Sequence, residues 1–256
     1  MLRIILCGCC GRMGKSVSQK VSEGSSAKIV AGVDIASSGG TDYPVYSNIL
    51  DIHEEADVIV DFSHHGAVGA ISGFAAQRSL PVVFCTTGYN EEELEVIKSL
   101  STKTAVFRSA NMSLGVNVLL ELCRKAAKVL GDSFDIEITE MHHNQKLDAP
   151  SGTALLLADG INEALDNKAE YVYDRHLRRE RRPKNEIGIH SLRGGTVVGE
   201  HSVIFAGNNE TLTLSHSATS REVFAQGALK AAAFVAGKAP GMYNMDDLIK
   251  ESLSKA

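Results

Sequence analysis

No stretch of the 256-residue sequence stays apolar for the ~20 residues that a membrane-spanning helix needs. Neither sign of charge dominates: 26 Lys and Arg stand against 31 Asp and Glu, a formal net charge of −5. Nothing electrostatic therefore points to nucleic acid or to an anionic membrane surface. Cysteines are few, and the five present (Cys7, Cys9, Cys10, Cys85, Cys123) are an odd number without the spacing of a disulfide framework. The run Met1–Gly8 is too short, and too soon broken by glycine, for a signal peptide. Reduced thiols and no leader lead us to expect a cytoplasmic enzyme. Tryptophan is absent, but hydrophobic residues make up 44%, ample for one large or two small cores. There is no HExxH spacing, so zinc hydrolysis is not expected, and neither internal repeats nor low-complexity segments occur.

Short apolar runs alternate with helical periodicity over the first 107 residues. Strands are expected at Arg3–Cys7, Ile29–Val33, Val58–Asp61, Pro81–Cys85 and Thr104–Phe107, with a weak one near Val45 and a Gly/Ser-rich loop at 37–41. Helices are expected up to Glu23, over Ala67–Arg78, and after Asn90, which caps the acidic start Glu91-Glu92-Glu93. This alternation predicts a parallel, doubly wound sheet. Beyond residue 112 the pattern changes. A long amphipathic helix, Val116–Leu130, leads to a strand, Asp135–Thr139, and a helix-like run, Ala154–Leu165. Strand-like runs at 187–192, 196–206 and 211–217, separated by glycine turns, predict a largely antiparallel segment. Arg221–Gly237 and Met245–Leu253 return to helix, and a C-terminal helix is expected to pack back on the first domain.

The turn after the first strand, Gly8-Cys9-Cys10-Gly11-Arg12-Met13-Gly14, has GxxGxxG rather than GxGxxG spacing. A glycine turn that opens a helix presents backbone N–H groups and a helix dipole to a pyrophosphate. Asp34 ends the next strand about twenty residues later, where an acid would bond a ribose 2′-hydroxyl. Ile35 follows, so no adjacent cation awaits a 2′-phosphate, and NADH is at least as well suited as NADPH. Thr86-Thr87-Gly88, after another strand, either lines the nicotinamide crevice or forms an ordinary turn. Cys7-x-Cys9-Cys10 lacks a second Cys or His pair at ligand spacing nearby, so no metal is expected.

Glu140 to Ala154 (EMHHNQKLDAPSGTA) is the densest chemistry in the chain. His142 and His143, placed by this reading in an exposed loop beyond a strand end, supply imidazole protons near neutral pH. Lys146 suits a carboxylate or phosphate as a point charge. Ser151 is a cap candidate, and the N–H groups of Gly152 and Thr153 open the following helix toward an anion.

This stretch closely resembles the signature of bacterial 4-hydroxy-tetrahydrodipicolinate reductases. The likeness extends to Gly8–Gly14, Asp61-Phe62-Ser63, Thr86-Thr87-Gly88, Ala110–Asn117, Arg193-Gly194-Gly195, Gly199-Glu200-His201 and Ser220–Ala228. The resemblance implies an α/β fold: a Rossmann-type parallel-sheet domain (1–112 with 221–256) and an inserted α+β domain for substrate binding and tetramerisation (113–220). It implies a homotetramer using NADH or NADPH to reduce 4-hydroxy-tetrahydrodipicolinate, a small cyclic dicarboxylate, to tetrahydrodipicolinate plus water, on the diaminopimelate route to lysine. His142 would be the proton donor and Lys146 the second catalytic group, with His143, Lys146, Ser151, Gly152 and Thr153 holding the substrate. The cofactor would lie against Gly8, Cys9, Cys10, Gly11, Arg12, Met13, Asp34, Cys85, Thr86, Thr87, Ser109, Ala110, Asn111 and Met112.

Three positions depart from the family pattern. Cys10 and Cys85 stand where glycine is usual, which predicts crowding of the pyrophosphate by Cys10 and a changed backbone contact at Cys85. The run 174–184 (DRHLRRERRPK) is unusually basic and reads as a solvated loop. Two competing readings are another Rossmann oxidoreductase acting on a small carboxylate and a non-catalytic dinucleotide sensor. The presence of both His142 and Lys146 argues against each.

Overall fold

The computed structural model describes residues 1–24, 26–36, 40–131, 133–176 and 178–254. Two compact units result, Met1–Leu114 with Arg221–Ala256, and Gly115–Ser220. No helix among the described residues is long and apolar enough to cross a membrane.

The first unit is built on a seven-stranded sheet in the order β12-β6-β5-β4-β1-β2-β3. Its strands are β1 (Leu2–Cys7), β2 (Ala27–Val33), β3 (Val45–Tyr46), β4 (Val58–Asp61), β5 (Val82–Phe84), β6 (Ala105–Arg108) and β12 (Gly241–Tyr243). Every pairing is parallel. Parallel strands are covered on both faces, and β4 and β5 are buried throughout, as aliphatic runs without alternation require. Helices α1 (Arg12–Ser22), α6 (Glu222–Val235) and α7 (Met245–Ser254) pack with Ile4, Leu6, Val58 and Val60. Helices α2 (Val68–Arg78) and α3 (Glu91–Ser101) pack with Ile5, Cys7, Ile59 and Phe84. Each such aliphatic side chain contributes about 1.5–3 kcal/mol when fully removed from water. The Asn90 cap forms as expected. Its carboxamide oxygen accepts from Glu93 N–H at 2.9 Å, and the Glu93 carboxylate accepts from Asn90 N–H at 2.8 Å.

The second unit has a five-stranded sheet in the order β11-β10-β7-β9-β8, comprising β7 (Asp135–His142), β8 (Glu170–Val172), β9 (Glu186–Arg193), β10 (Gly199–Ala206) and β11 (Thr211–Ala218). The apolar sides of α4 (Leu114–Leu130) and α5 (Gly152–Ala164) pack with Ile136, Ile138, Ile187, Ile189, Val203 and Phe205.

Four expectations need correction. The segment read as largely antiparallel contains β9, which runs parallel to both β7 and β8, because α5 lies between β7 and β9 in the chain as a crossover. Only the pairings of β10 are antiparallel, and β10 starts at Gly199 rather than at 196. The three-residue strands β8 and β12 are too short to leave a period in the sequence. The basic run is not simply solvated. Arg175 and Arg178 both bind the buried Glu186 carboxylate, Arg178 at 2.8 Å. Arg182 bonds Glu137 at 3.0 Å and Asp135 at 3.1 Å. These arginines neutralise acids on β7 and β9 that would otherwise repel each other across the sheet. Of the expected loop at 37–41, residues 37–39 lie outside the described residues, as does Leu177 of the basic run.

Candidate active site

Along β7, side chains alternate between partly exposed and buried, and Glu140 and His142 fall on the buried side, two residues apart. His142 therefore lies on a strand, not in an exposed loop. The strand continues to it because β9 extends opposite as far as Arg193, with Gly194 N–H donating to the His142 carbonyl at 2.9 Å. A buried carboxylate needs partners, and Glu140 has several. Arg193 grips it in a fork, Nη1 to Oε2 and Nη2 to Oε1, both at 2.8 Å. Ser151 N–H donates to Oε1 at 3.1 Å, and His142 Nδ1 lies 2.6 Å from Oε2. Burial alone would raise this carboxyl, but Arg193 and then His142 outweigh it and hold it down at about 2. Glu140 is thus ionised, His142 Nδ1 carries a hydrogen toward it, and the ring's Nε2 is the nitrogen left for chemistry. That nitrogen sits beside Gly199, where an added Cβ would come within 3.0 Å of it.

Ser151 caps α5, its Oγ accepting from Ala154 N–H at 3.1 Å, and shares a 3.1 Å hydrogen bond with His201 Nε2. Its hydroxyl is buried, so Ser151 meets its neighbours through the helix cap. Gly152 is exposed and Thr153 partly so, at the positive end of the α5 dipole. Lys146 Nζ lies 2.8 Å from the Asp148 carboxylate, and Lys146 N–H closes a turn onto the His143 carbonyl at 3.1 Å. The His142 and His201 rings meet edge to face at 5.2 Å. Burial first, then the charge of His142, pushes His201 down from 6.5 to about 4.

This shift has a measurable consequence. A histidine that resists protonation only when folded lets the unfolded chain take up the proton first, so stability present above pH 6.5 is lost as pH falls toward about 4. His201→Asn is expected to flatten urea-unfolding free energy across that window, removing up to about 3 kcal/mol of pH dependence. Parallel pH profiles for the two proteins would dismiss this role.

In the first unit, the turn between β1 and α1 is set by two close approaches. Gly8 has φ +75°, and a Cβ there would lie 2.5 Å from the Phe62 carbonyl oxygen. At Gly14 a Cβ would lie 2.2 Å from the Gly8 carbonyl oxygen, so helix and turn meet only through glycine. The α1 start has no side-chain cap and no acid in its first turn, leaving its dipole uncompensated. A cleft of about 390 Å³ is lined by Gly8, Gly11, Asp34, Ile35 and Ser63, among others. Asp34 accepts from Cys10 N–H at 2.9 Å and from Ala36 N–H at 3.0 Å, which fixes its carboxylate at the end of β2. Thr86 donates to the buried Asp61 carboxylate at 2.8 Å, and Ser63 and Tyr89 also donate to it. Burial raises that carboxyl, while the Ser63 and Thr86 bonds oppose the rise. Thr87 and Ala110 are exposed, Arg12 is exposed, and Met13, Ser109 and Asn111 are partly so, whereas Cys9 and Met112 are buried. An uncapped helix start, a tight glycine turn and a strand-end acid fit the phosphates and ribose of a dinucleotide.

Residues 2–112 match the family described as dihydrodipicolinate reductase, N-terminus, and residues 115–249 match dihydrodipicolinate reductase, C-terminus. The chain belongs to the dihydrodipicolinate reductase family. It is 56% identical to a 4-hydroxy-tetrahydrodipicolinate reductase of Caldanaerobacter subterraneus subsp. tengcongensis, covering 98% of this chain and 99% of the other. To its counterpart from Clostridium tetani it is 49% identical over 97% of each chain. The structure resembles dipicolinate-bound dihydrodipicolinate reductase from Paenisporosarcina sp. TG-14, with a TM-score of 0.81 and 25% identity, covering 95% of this chain and 97% of that one.

This reductase is therefore an NAD(P)H-dependent oxidoreductase of lysine and diaminopimelate biosynthesis. Three residues of its central network were given no role by the sequence reading: Glu140, Arg193 and His201. The signal for Glu140 was available, since an acid two residues before His142 on a strand must share its face. Arg193 and His201 come from β9 and β10, and only sheet register brings them to β7.

Proposed function

We propose that the reductase converts 4-hydroxy-tetrahydrodipicolinate to tetrahydrodipicolinate and water, with His142 as proton donor. The observation that carries this reading is the Arg193–Glu140–His142 chain, running from β9 to β7, which orients one imidazole and supports the positive charge a proton donor must carry. Glu140 accepts the hydrogen bond from Nδ1–H, so the proton for substrate sits on Nε2. Lys146, His143 and the first-turn amides of Gly152 and Thr153 would hold the two carboxylates of the substrate, cations and helix dipole balancing a dianion. Ser151 would act through the cap that keeps those amides in place. When bound, the nicotinamide cofactor supplies the hydride. The turn from Gly8 to Met13, Asp34, Cys85 to Thr87 and Ser109 to Met112 would hold that cofactor. We further propose that Asp34, followed by Ile35 rather than a cation, makes NADH at least as good a cofactor as NADPH, because its charge would repel a 2′-phosphate. The functional assembly would be a cytoplasmic homotetramer, with 113–220 serving substrate binding and association.

The test follows loss of NADH or NADPH absorbance with enzymatically generated hydroxytetrahydrodipicolinate. We expect turnover with both cofactors and a kcat/KM for NADH at least equal to that for NADPH. No oxidation of either at millimolar concentration would overturn the reading.

A further inference from the structure

Cys9 and Cys10 lie in the turn between β1 and α1, and Asp34 at the end of β2. The ligand atoms of the three side chains all lie within 4.8 Å of one another. We propose that Cys9, Cys10 and Asp34 form a binding site for a single thiophilic divalent cation.

The spacing of the sulfurs carries this assignment. With zinc–sulfur bonds of about 2.3 Å, the edge of a tetrahedral site is about 3.8 Å. Cys9 Sγ and Cys10 Sγ are 3.9 Å apart. Both sulfurs can therefore enter one coordination sphere with little movement. The Cys9 side chain is also held in place. It fills space left by Gly32 on β2, where an added Cβ would lie 2.6 Å from Cys9 Sγ and 2.8 Å from the Tyr43 ring. The Asp34 carboxylate is oriented by the amides of Cys10 and Ala36, and an ionised carboxylate keeps lone pairs beyond those two bonds. Two thiolates with one carboxylate select a borderline or soft ion over magnesium or calcium, and three protein ligands leave a fourth position for water. On binding, two S–H bonds break, two metal–sulfur bonds form and two protons pass to solvent. Sequence spacing alone gave no reason to expect a metal at Cys7-x-Cys9-Cys10, and Cys7 indeed belongs to the opposite face of β1, packed with α2 and α3. The third ligand is Asp34, 24 residues from Cys10 in the chain and out of reach of any local spacing. No other such group of three occurs among the described residues.

The probe is cadmium ion, titrated into the reduced full-length protein without nucleotide, reading the thiolate-to-cadmium charge-transfer band in the ultraviolet. One equivalent is expected to saturate the band. Cys10→Ser and Asp34→Asn should each weaken cadmium binding by at least about tenfold, while Cys85→Ser retains it. Cys10 is partly exposed, so its variant avoids the core disturbance that Cys9→Ser risks, and circular dichroism checks both folds. No band, or a band indifferent to Cys10 and Asp34, would overturn the site. Because Asp34 is also the acid proposed for the adenosine ribose, saturating NADH is expected to weaken cadmium binding. That arm alone rests on the dinucleotide reading, and the band measured without nucleotide stands or falls separately.

Discussion

Replacing His142 with glutamine is expected to lower kcat by roughly 10²–10⁴-fold, the usual contribution of a positioned general acid. KM should change far less. Glutamine can keep a hydrogen bond to Glu140, and Arg193 still neutralises that carboxylate, so the buried network loses neither its charge balance nor its shape. What is lost is a proton at the position of Nε2, which matters chiefly in the transition state. Steady-state rates over a range of substrate concentrations separate the two parameters. A change confined to KM would make His142 a binding residue and transfer the acid role elsewhere, with Lys146 the next candidate.

The largest stability loss is expected from Arg193→Ala. Removing one partner of a buried ion pair leaves the other charge without compensation and costs about 3–5 kcal/mol. Glu140 is almost fully buried, while the Arg193 side chain retains 20% exposure, which places the loss near the lower end of that range. Urea unfolding at neutral pH measures it, and a loss below about 1 kcal/mol would show that water or another cation replaces the guanidinium. Arg193→Lys should keep only part of the stability, since an ammonium cannot bond both carboxylate oxygens in a fork. The pH dependence follows from the same pair. With Glu140 depressed from 4.5 to about 2, its stabilisation is complete above 4.5 and disappears as pH falls toward about 2. In the alanine variant this acid transition should move upward.

The doubly wound half was legible, apart from β12, because most of its strands are short aliphatic runs closed by a glycine, an acid or a cap. Asn90 with Glu93, and Gly8 with Gly14, act within a few residues of themselves, so sequence spacing suffices to find them. The chemical half was legible only in part. His142, Lys146 and Ser151 stand in one stretch, but the carboxylate that orients His142 is itself oriented from β9, 53 residues away. Nothing in local pattern specifies that β9 pairs with β7 in parallel, and without that register Arg193 is one more glycine-flanked cation. The same holds for Arg182, whose position in a charge-rich run suggests solvent while its guanidinium spans two acids of β7. Long-range pairing, not composition, decides such roles.

The first unit is discontinuous, and this bears on how the chain is made. Its sheet is complete in sequence, apart from β12, by residue 108, yet Ala225, Ala228, Ala231, Ala232 and Val235 of α6 belong to the core over Ile4, Leu6, Val58 and Val60. On a ribosome those residues emerge only after the whole second unit, Gly115–Ser220, has been synthesised. That face of the nascent sheet must wait, covered only in part by α1, through all of that further translation. Folding during synthesis should thus close the second unit before the first, reversing the usual N-terminal-first order.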